Sequence, residues 1–141
     1  MDEPLGEGQM RSRSLGRGLL VIRCTTGEFS ESVWTDFLKS LHAHDLDRLR
    51  VLVRTDGASP SIRQLRALVD ALAGRPARFA IVTDEGRVLF VTSALATMIK
   101  RVRSFHVAEL LEAYRYLELT AEEEARTSQF FDEAIQDAAQ S

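Results

Sequence analysis

The feature that most limits the fold is a short apolar run that breaks sharply into a turn. Leu49-Arg50-Val51-Leu52-Val53-Arg54 is followed by Thr55-Asp56-Gly57-Ala58-Ser59-Pro60-Ser61. Leucine and β-branched residues in such a run suit a buried strand. Gly, Ser and Pro then stop it, and the order Ser59-Pro60 predicts a helix start. Ser59 is expected as N-cap and Pro60 as the first helical residue, where its missing N–H is unpaired in any case. Ile62, Leu65, Leu68, Val69 and Leu72 continue as one apolar stripe that Gly74 closes. A strand that turns directly into a helix is the unit of an α/β sheet, whose ligands and regulatory groups gather at the carboxyl ends of the strands.

The same unit repeats along the chain. Leu19–Thr25 reads as a strand bounded by Gly18 and Gly27, and Glu31–His42 as a helix with Ser30 as N-cap and Val33, Phe37, Leu38 and Leu41 at helical spacing. Arg78–Thr83 is a third strand, launched after Pro76. Residues 85–99 allow two readings. Asp84-Glu85-Gly86 could turn a hairpin into a strand at Val88–Thr92, or Val88, Val91, Leu95, Met98 and Ile99 could lie on one helix. The helix is preferred, because a parallel sheet needs a crossover before the strand Arg101–Phe105. A helix over Ala108–Leu117 follows. Thr120 and Glu123 then form a capping-box pattern opening a last amphipathic helix with Ala121, Ala125, Phe130, Phe131, Ala134 and Ile135. A weak strand at Gln9–Ser14 is also allowed. The expected fold is a single α/β domain with a four-to-five-stranded, mainly parallel sheet and helices packed against it. Residues 1–17 read as a flexible lead-in, 18–118 as the α/β domain and 119–141 as a C-terminal amphipathic helix.

Composition narrows the class. An apolar content of 45% supports a packed core, and a net charge of -3 argues against a dedicated nucleic-acid binder. Charge is uneven: Arg11, Arg13, Arg17 and Arg23 cluster early, whereas Glu118, Glu122, Glu123, Glu124, Asp132, Glu133 and Asp137 crowd the end. Such a distribution can steer a partner or stack subunits, although two solvated surfaces explain it as well. Cys24 is the single cysteine and lies in an apolar run, which predicts a buried, inert thiol. No run approaches the roughly 18–20 apolar residues of a membrane span, and the acidic start lacks the order of a signal peptide. A cytoplasmic protein is the simplest expectation.

At this point the pattern resembles a known family. Gly18-Leu19-Leu20-Val21-Ile22 with Thr26-Gly27-Glu28-Phe29-Ser30 resembles the strand, short turn and helix that open the STAS-like superfamily, in its SpoIIAA-like branch. Leu49–Thr55 is similar to that family's second main strand, and Arg78-Phe79-Ala80-Ile81-Val82-Thr83-Asp84 to the next. Arg101–Phe105 with Ala108–Leu117 resembles its closing strand and helix. The likeness spans about residues 18 to 118 and rests on apolar and small residues. It implies a bacterial, non-enzymatic regulatory or protein-interaction module of the anti-sigma-factor-antagonist kind. Such modules need no cofactor and are switched by phosphorylation at the turn before the second helix. The alternative it implies is a carrier or sensor of a small apolar ligand held between sheet and helices. The family's switch is an Asp-Ser pair followed by Gly. Here the matching turn holds Asp56, Gly57, Ser59 and Ser61, with Gly before the serines, and these four residues are the candidate regulatory site.

Other candidates are weaker. His42 and His44 cannot share a helix face, so a metal pair is not expected. His106 precedes a helix and could cap it. Asp56 and Asp84, both at strand ends, could face one rim and hold a divalent cation, although turn residues of this kind are ordinary. The chain carries no Gly-x-Gly-x-x-Gly, Gly-x-x-x-x-Gly-Lys-Ser/Thr or Gly-x-Ser-x-Gly pattern. No catalytic, cofactor-binding or metal residue is assigned. Phe130, Phe131 and Ile135 offer an apolar face that either packs on the chain's own sheet or pairs two copies into a homodimer.

Overall fold

Five strands, the last four joined by helices, wind into one sheet in the order β1-β2-β3-β4-β5. The computed structural model describes the backbone of residues 8–140 and the side chains of residues 8–133. The strands are β1 (Met10–Ser14), β2 (Leu19–Cys24), β3 (Arg50–Thr55), β4 (Arg78–Val82) and β5 (Val102–Phe105). Helices α1 (Glu31–His42), α2 (Ile62–Leu72) and α3 (Gly86–Ala96) form the crossovers. A 3-10 turn at Val107–Glu109 leads into α4 (Leu110–Tyr116), and α5 (Ala121–Gln140) closes the fold. Within residues 85–99 the chain folds as the helix Gly86–Ala96, not as a hairpin. The first seven residues of the expected lead-in lie outside the described residues, as do the side chains of Ala134 and Ile135.

The sheet is mixed, which corrects the expectation of a mainly parallel one. β2 through β5 pair in parallel, but β1 pairs antiparallel with β2, Met10 opposite Cys24 and Ser14 opposite Leu20. The cause is the connection. Leu15-Gly16-Arg17-Gly18 is too short for a crossover and can only reverse the chain, with Gly16 and Gly18 at φ 61° and 71° where a non-glycine residue is strained. The weak strand allowed at Gln9–Ser14 is thus a full edge of the sheet.

Right-handed crossovers between strands added in one direction place all their helices on one face, and the packing follows that rule. Leu20, Ile22 and Cys24 of β2, with Val51 and Phe79, bury against Trp34, Phe37, Leu41, Leu65, Leu68 and Leu95 of α1–α3. The alternate residues Leu19, Val21, Leu52, Ala80 and Val82 bury on the opposite face against Ala113, Tyr114 and Leu117 near α4 and Phe130 and Phe131 of α5. The central strands are apolar on both faces because helices cover both.

α5 is a covering helix held at its start. Thr120 accepts from the Glu123 amide at 3.1 Å while the Glu123 carboxylate accepts from the Thr120 amide at 2.9 Å, the capping box read from the sequence. The same carboxylate takes two hydrogen bonds from the Arg50 guanidinium, at 3.0 and 2.7 Å. Farther along, the Tyr114 and Ser128 hydroxyls lie 3.0 Å apart. Phe130 and Phe131 are 4% and 2% exposed. Phe130 and Phe131, two of the three residues considered for a dimer face, therefore pack on the chain's own sheet.

Candidate functional site

The carboxyl ends of β2, β3 and β4 form one rim, and the candidate turn 56–61 sits in its middle. The turn is built mainly by hydroxyls and by its neighbour strand. Thr55 Oγ1 accepts from the Gly57 amide at 3.2 Å and donates to the Ala58 carbonyl at 2.9 Å. The Asp56 amide donates to the Cys24 carbonyl and the Ala58 amide to the Thr25 carbonyl, tying the turn to the end of β2. Gly57 has φ 143°, a backbone conformation that L side chains rarely adopt, so glycine is needed there. Asp56 is clamped by the Arg23 guanidinium, both of whose hydrogen bonds measure 2.9 Å. The β2–β3 register sets this pairing, because it places Arg23 opposite Arg54, two residues before Asp56.

The helix after the turn begins later than the sequence suggested. Ser61, not Ser59, is the N-cap of α2: its hydroxyl accepts from the Gln64 amide at 3.1 Å. Gln64 Oε1 in turn accepts from the Ser61 amide at 3.0 Å, completing a reciprocal box. Ser59 cannot close such a box, because the residue three positions on is Ile62, which has no side-chain acceptor. Ser59 instead makes a parallel bridge with Glu28, and Pro60 lies before the helix rather than at its first position. Of the two serines, Ser61 is exposed and Ser59 half-buried.

Gln64 is the residue that sequence reasoning missed. It is 4% exposed and joins three segments. Its Nε2 donates to the Phe29 carbonyl at 2.9 Å, and its own carbonyl accepts from the Trp34 indole N–H at 3.0 Å. The glutamine side chain thus fixes the turn and the loop before α1, and its main-chain carbonyl receives the tryptophan of α1. The pattern Ser61-x-x-Gln64 was the available signal.

Two large apolar side chains are exposed on the helices that leave the rim: Ile62, the first residue of α2, at 72% and Phe90, in the first half of α3, at 78%. Beneath the rim, between the sheet and α1–α3, is an apolar cavity of about 70 Å³, lined by Cys24, Phe29, Trp34, Thr55, Leu65 and Val88 among others. That is roughly half the ~150 Å³ of a cavity known to admit a benzene-sized ligand. Burial, the largest effect on it, pushes the Cys24 thiol up to about 12, against a smaller lowering by Arg23, so it is the inert thiol expected.

The other candidates are not brought together. Asp56 and Asp84 each have their own partners: Asp84 accepts from the Val107 amide at 3.0 Å and lies 3.3 Å from His106 Nδ1. A cation shared by the two aspartates would have to displace Arg23 and His106. Among the described residues no three His, Cys, Asp or Glu side chains are grouped as metal ligands. His42 ends α1, whereas His44 lies beyond it with Nε2 3.0 Å from the Ser14 hydroxyl. The His106 amide donates to Glu109 at 2.8 Å, which makes it the start of the 3-10 turn. No described helix is long and apolar enough to cross a membrane. No protein-family model matches the chain, and no curated protein is significantly similar to it.

Proposed function

We propose that the protein is a non-enzymatic regulatory module of the STAS-like, SpoIIAA-like kind, acting in a bacterial cytoplasm by binding a partner protein at the rim of the sheet. Phosphorylation of Ser61 or Ser59 is its switch. The observation that carries this reading is the exposed Ser61 N-cap with the exposed apolar side chain of Ile62 directly after it, and Phe90 exposed on the helix that follows the neighbouring strand β4. An aromatic and an aliphatic anchor beside a polar turn suit the centre of a protein interface. A phosphate on Ser61 would sit at the positive end of α2, beside the amides of its first turn and next but one to Arg63. It would set a dianion one residue before the exposed Ile62, where a partner must shed water to dock.

The alternative, a carrier or sensor of a small apolar ligand, draws on the lining of the internal cavity. Its volume of about 70 Å³ suits a small group rather than a whole ligand, so the partner-binding reading is preferred. The experiment is affinity capture from the host with the full chain and with the double variant Ile62→Glu/Phe90→Glu. Both positions are exposed, so the fold is expected to survive. A protein retained by the natural chain and lost from the variant supports the interface. The same proteins on both overturn it.

A further inference from the structure

We infer that the opposite end of the sheet holds a binding site for an amphiphilic anion, a molecule with one phosphate head and a short apolar body. This inference is independent of the rim. At the amino ends of the parallel strands, two hollows meet across Pro76 and Arg101. The first has a volume of about 370 Å³ and runs between the ends of α2 and α3, floored by Val69, Leu72 and Ile99 with Met98 half exposed at its side. The second, of about 140 Å³, is walled by guanidinium groups. Together the hollows reach the range of small-molecule sites, about 300–1,000 Å³.

Charge decides which part of a ligand goes where. Among the groups at the second hollow, Arg50 is already committed to Glu123, and Asp47 to Arg75. Arg78 donates to the Tyr116 carbonyl at 2.7 Å and lies 4.0 Å from Glu118, a carboxylate that is 80% exposed. Arg48 and Arg101 are exposed and have no ion pair with a described residue. Arg48 stands close enough to Asp47 to help Arg75 lower its carboxyl. Arg48, Arg78 and Arg101 thus outnumber the carboxylates lining the hollow, Asp47 and Glu118, the first held by Arg75 and the second only loosely by Arg78. Guanidinium groups in excess, each able to give two parallel hydrogen bonds, match a phosphate head. The cations at the first hollow stand at its edge, Arg75 held by Asp47 and Lys100 with Arg101 on the side nearest the second hollow, while its floor is apolar. That floor takes the body, and Pro76 is where head and body join.

The test uses the full chain, labelled for amide NMR, with octyl phosphate below its micelle concentration as the probe. Inorganic phosphate, octanol and vesicles containing phosphatidic acid are separate arms. Saturable shifts at Val69, Ala77, Lys100 and Arg101 are expected with octyl phosphate. Phosphate alone and octanol alone are expected to bind at least about tenfold more weakly, since each engages one hollow. The exposed double variant Arg48→Ala/Arg101→Ala should lose at least about tenfold in affinity with its other amides unmoved. The inference is overturned by no saturable shift, by equal binding in the variant, or by shifts centred on Cys24, Trp34 and Leu65 around the internal cavity. Binding to the vesicles without a response to soluble octyl phosphate also overturns it and assigns the surface to a membrane.

Discussion

Gln64 and Ser61 together hold the rim turn, and their contributions can be separated. Truncating Ser61 to Ala removes the cap of α2 and should cost about 1 kcal/mol, whereas Ser59→Ala, which touches no helix amide, should cost less than half of that. Urea denaturation of the two variants measures the difference. Gln64→Ala should be worse, about 2–3 kcal/mol, because it leaves the buried Phe29 carbonyl without its donor, takes the acceptor from the Ser61 amide and empties a buried position. These residues show why the turn was only half legible in the sequence. Two Ser positions lay one residue apart around a proline, and local preference favoured the first. The reciprocal bond to Gln64 decided for the second, and so did the long-range bonds of Gln64 to the loop before α1, which no local pattern displays. Cys24 is the opposite case: its apolar neighbours alone announced a buried thiol. It should resist a thiol reagent in the native protein at pH 8 and react once the chain is unfolded.

At the scale of elements, α5 depends on a pair remote in sequence. Arg50 and Glu123 are 18% and 12% exposed at their side chains, and they join the start of β3 to the first turn of α5. The Arg50 hydrogen bonds hold the Glu123 carboxyl below its ordinary value of 4.5, against the opposing effect of burial, with smaller help from Thr120. A depressed folded-state value gives stability that is complete above pH 4.5 and lost as pH falls through the folded value. Chemical denaturation across that acidic range should therefore show a loss of stability that Glu123→Gln flattens. At pH 7 the same substitution should cost about 2 kcal/mol, since a charge-assisted pair is broken at a largely buried position. The capping box of α5 was readable from Thr120 and Glu123. Its anchor was not, because Arg50 lies 73 residues away in sequence and only the folded sheet brings it to Glu123.

For the whole molecule, the order of strands and helices was legible because each apolar run ends in a turn signal before the next periodic segment. The direction of β1 was not, since a short polar strand with arginines at alternate positions carries little core pattern. Pairing across Gly16 and Gly18 makes it the antiparallel edge. The finished architecture divides the sheet into two faces, three crossover helices burying one and α4 with α5 burying the other. The carboxyl rim with Ser61 and the arginine-walled hollows lie at opposite ends. Whether that rim is a switched surface is read by incubating the full chain with ATP and an extract of its host, then measuring intact mass and mapping the modified peptide. One added phosphoryl group is expected, transferred from ATP to the hydroxyl of Ser61 or Ser59. A chain that stays unmodified, or is modified only away from residues 56–61, rules the switch out.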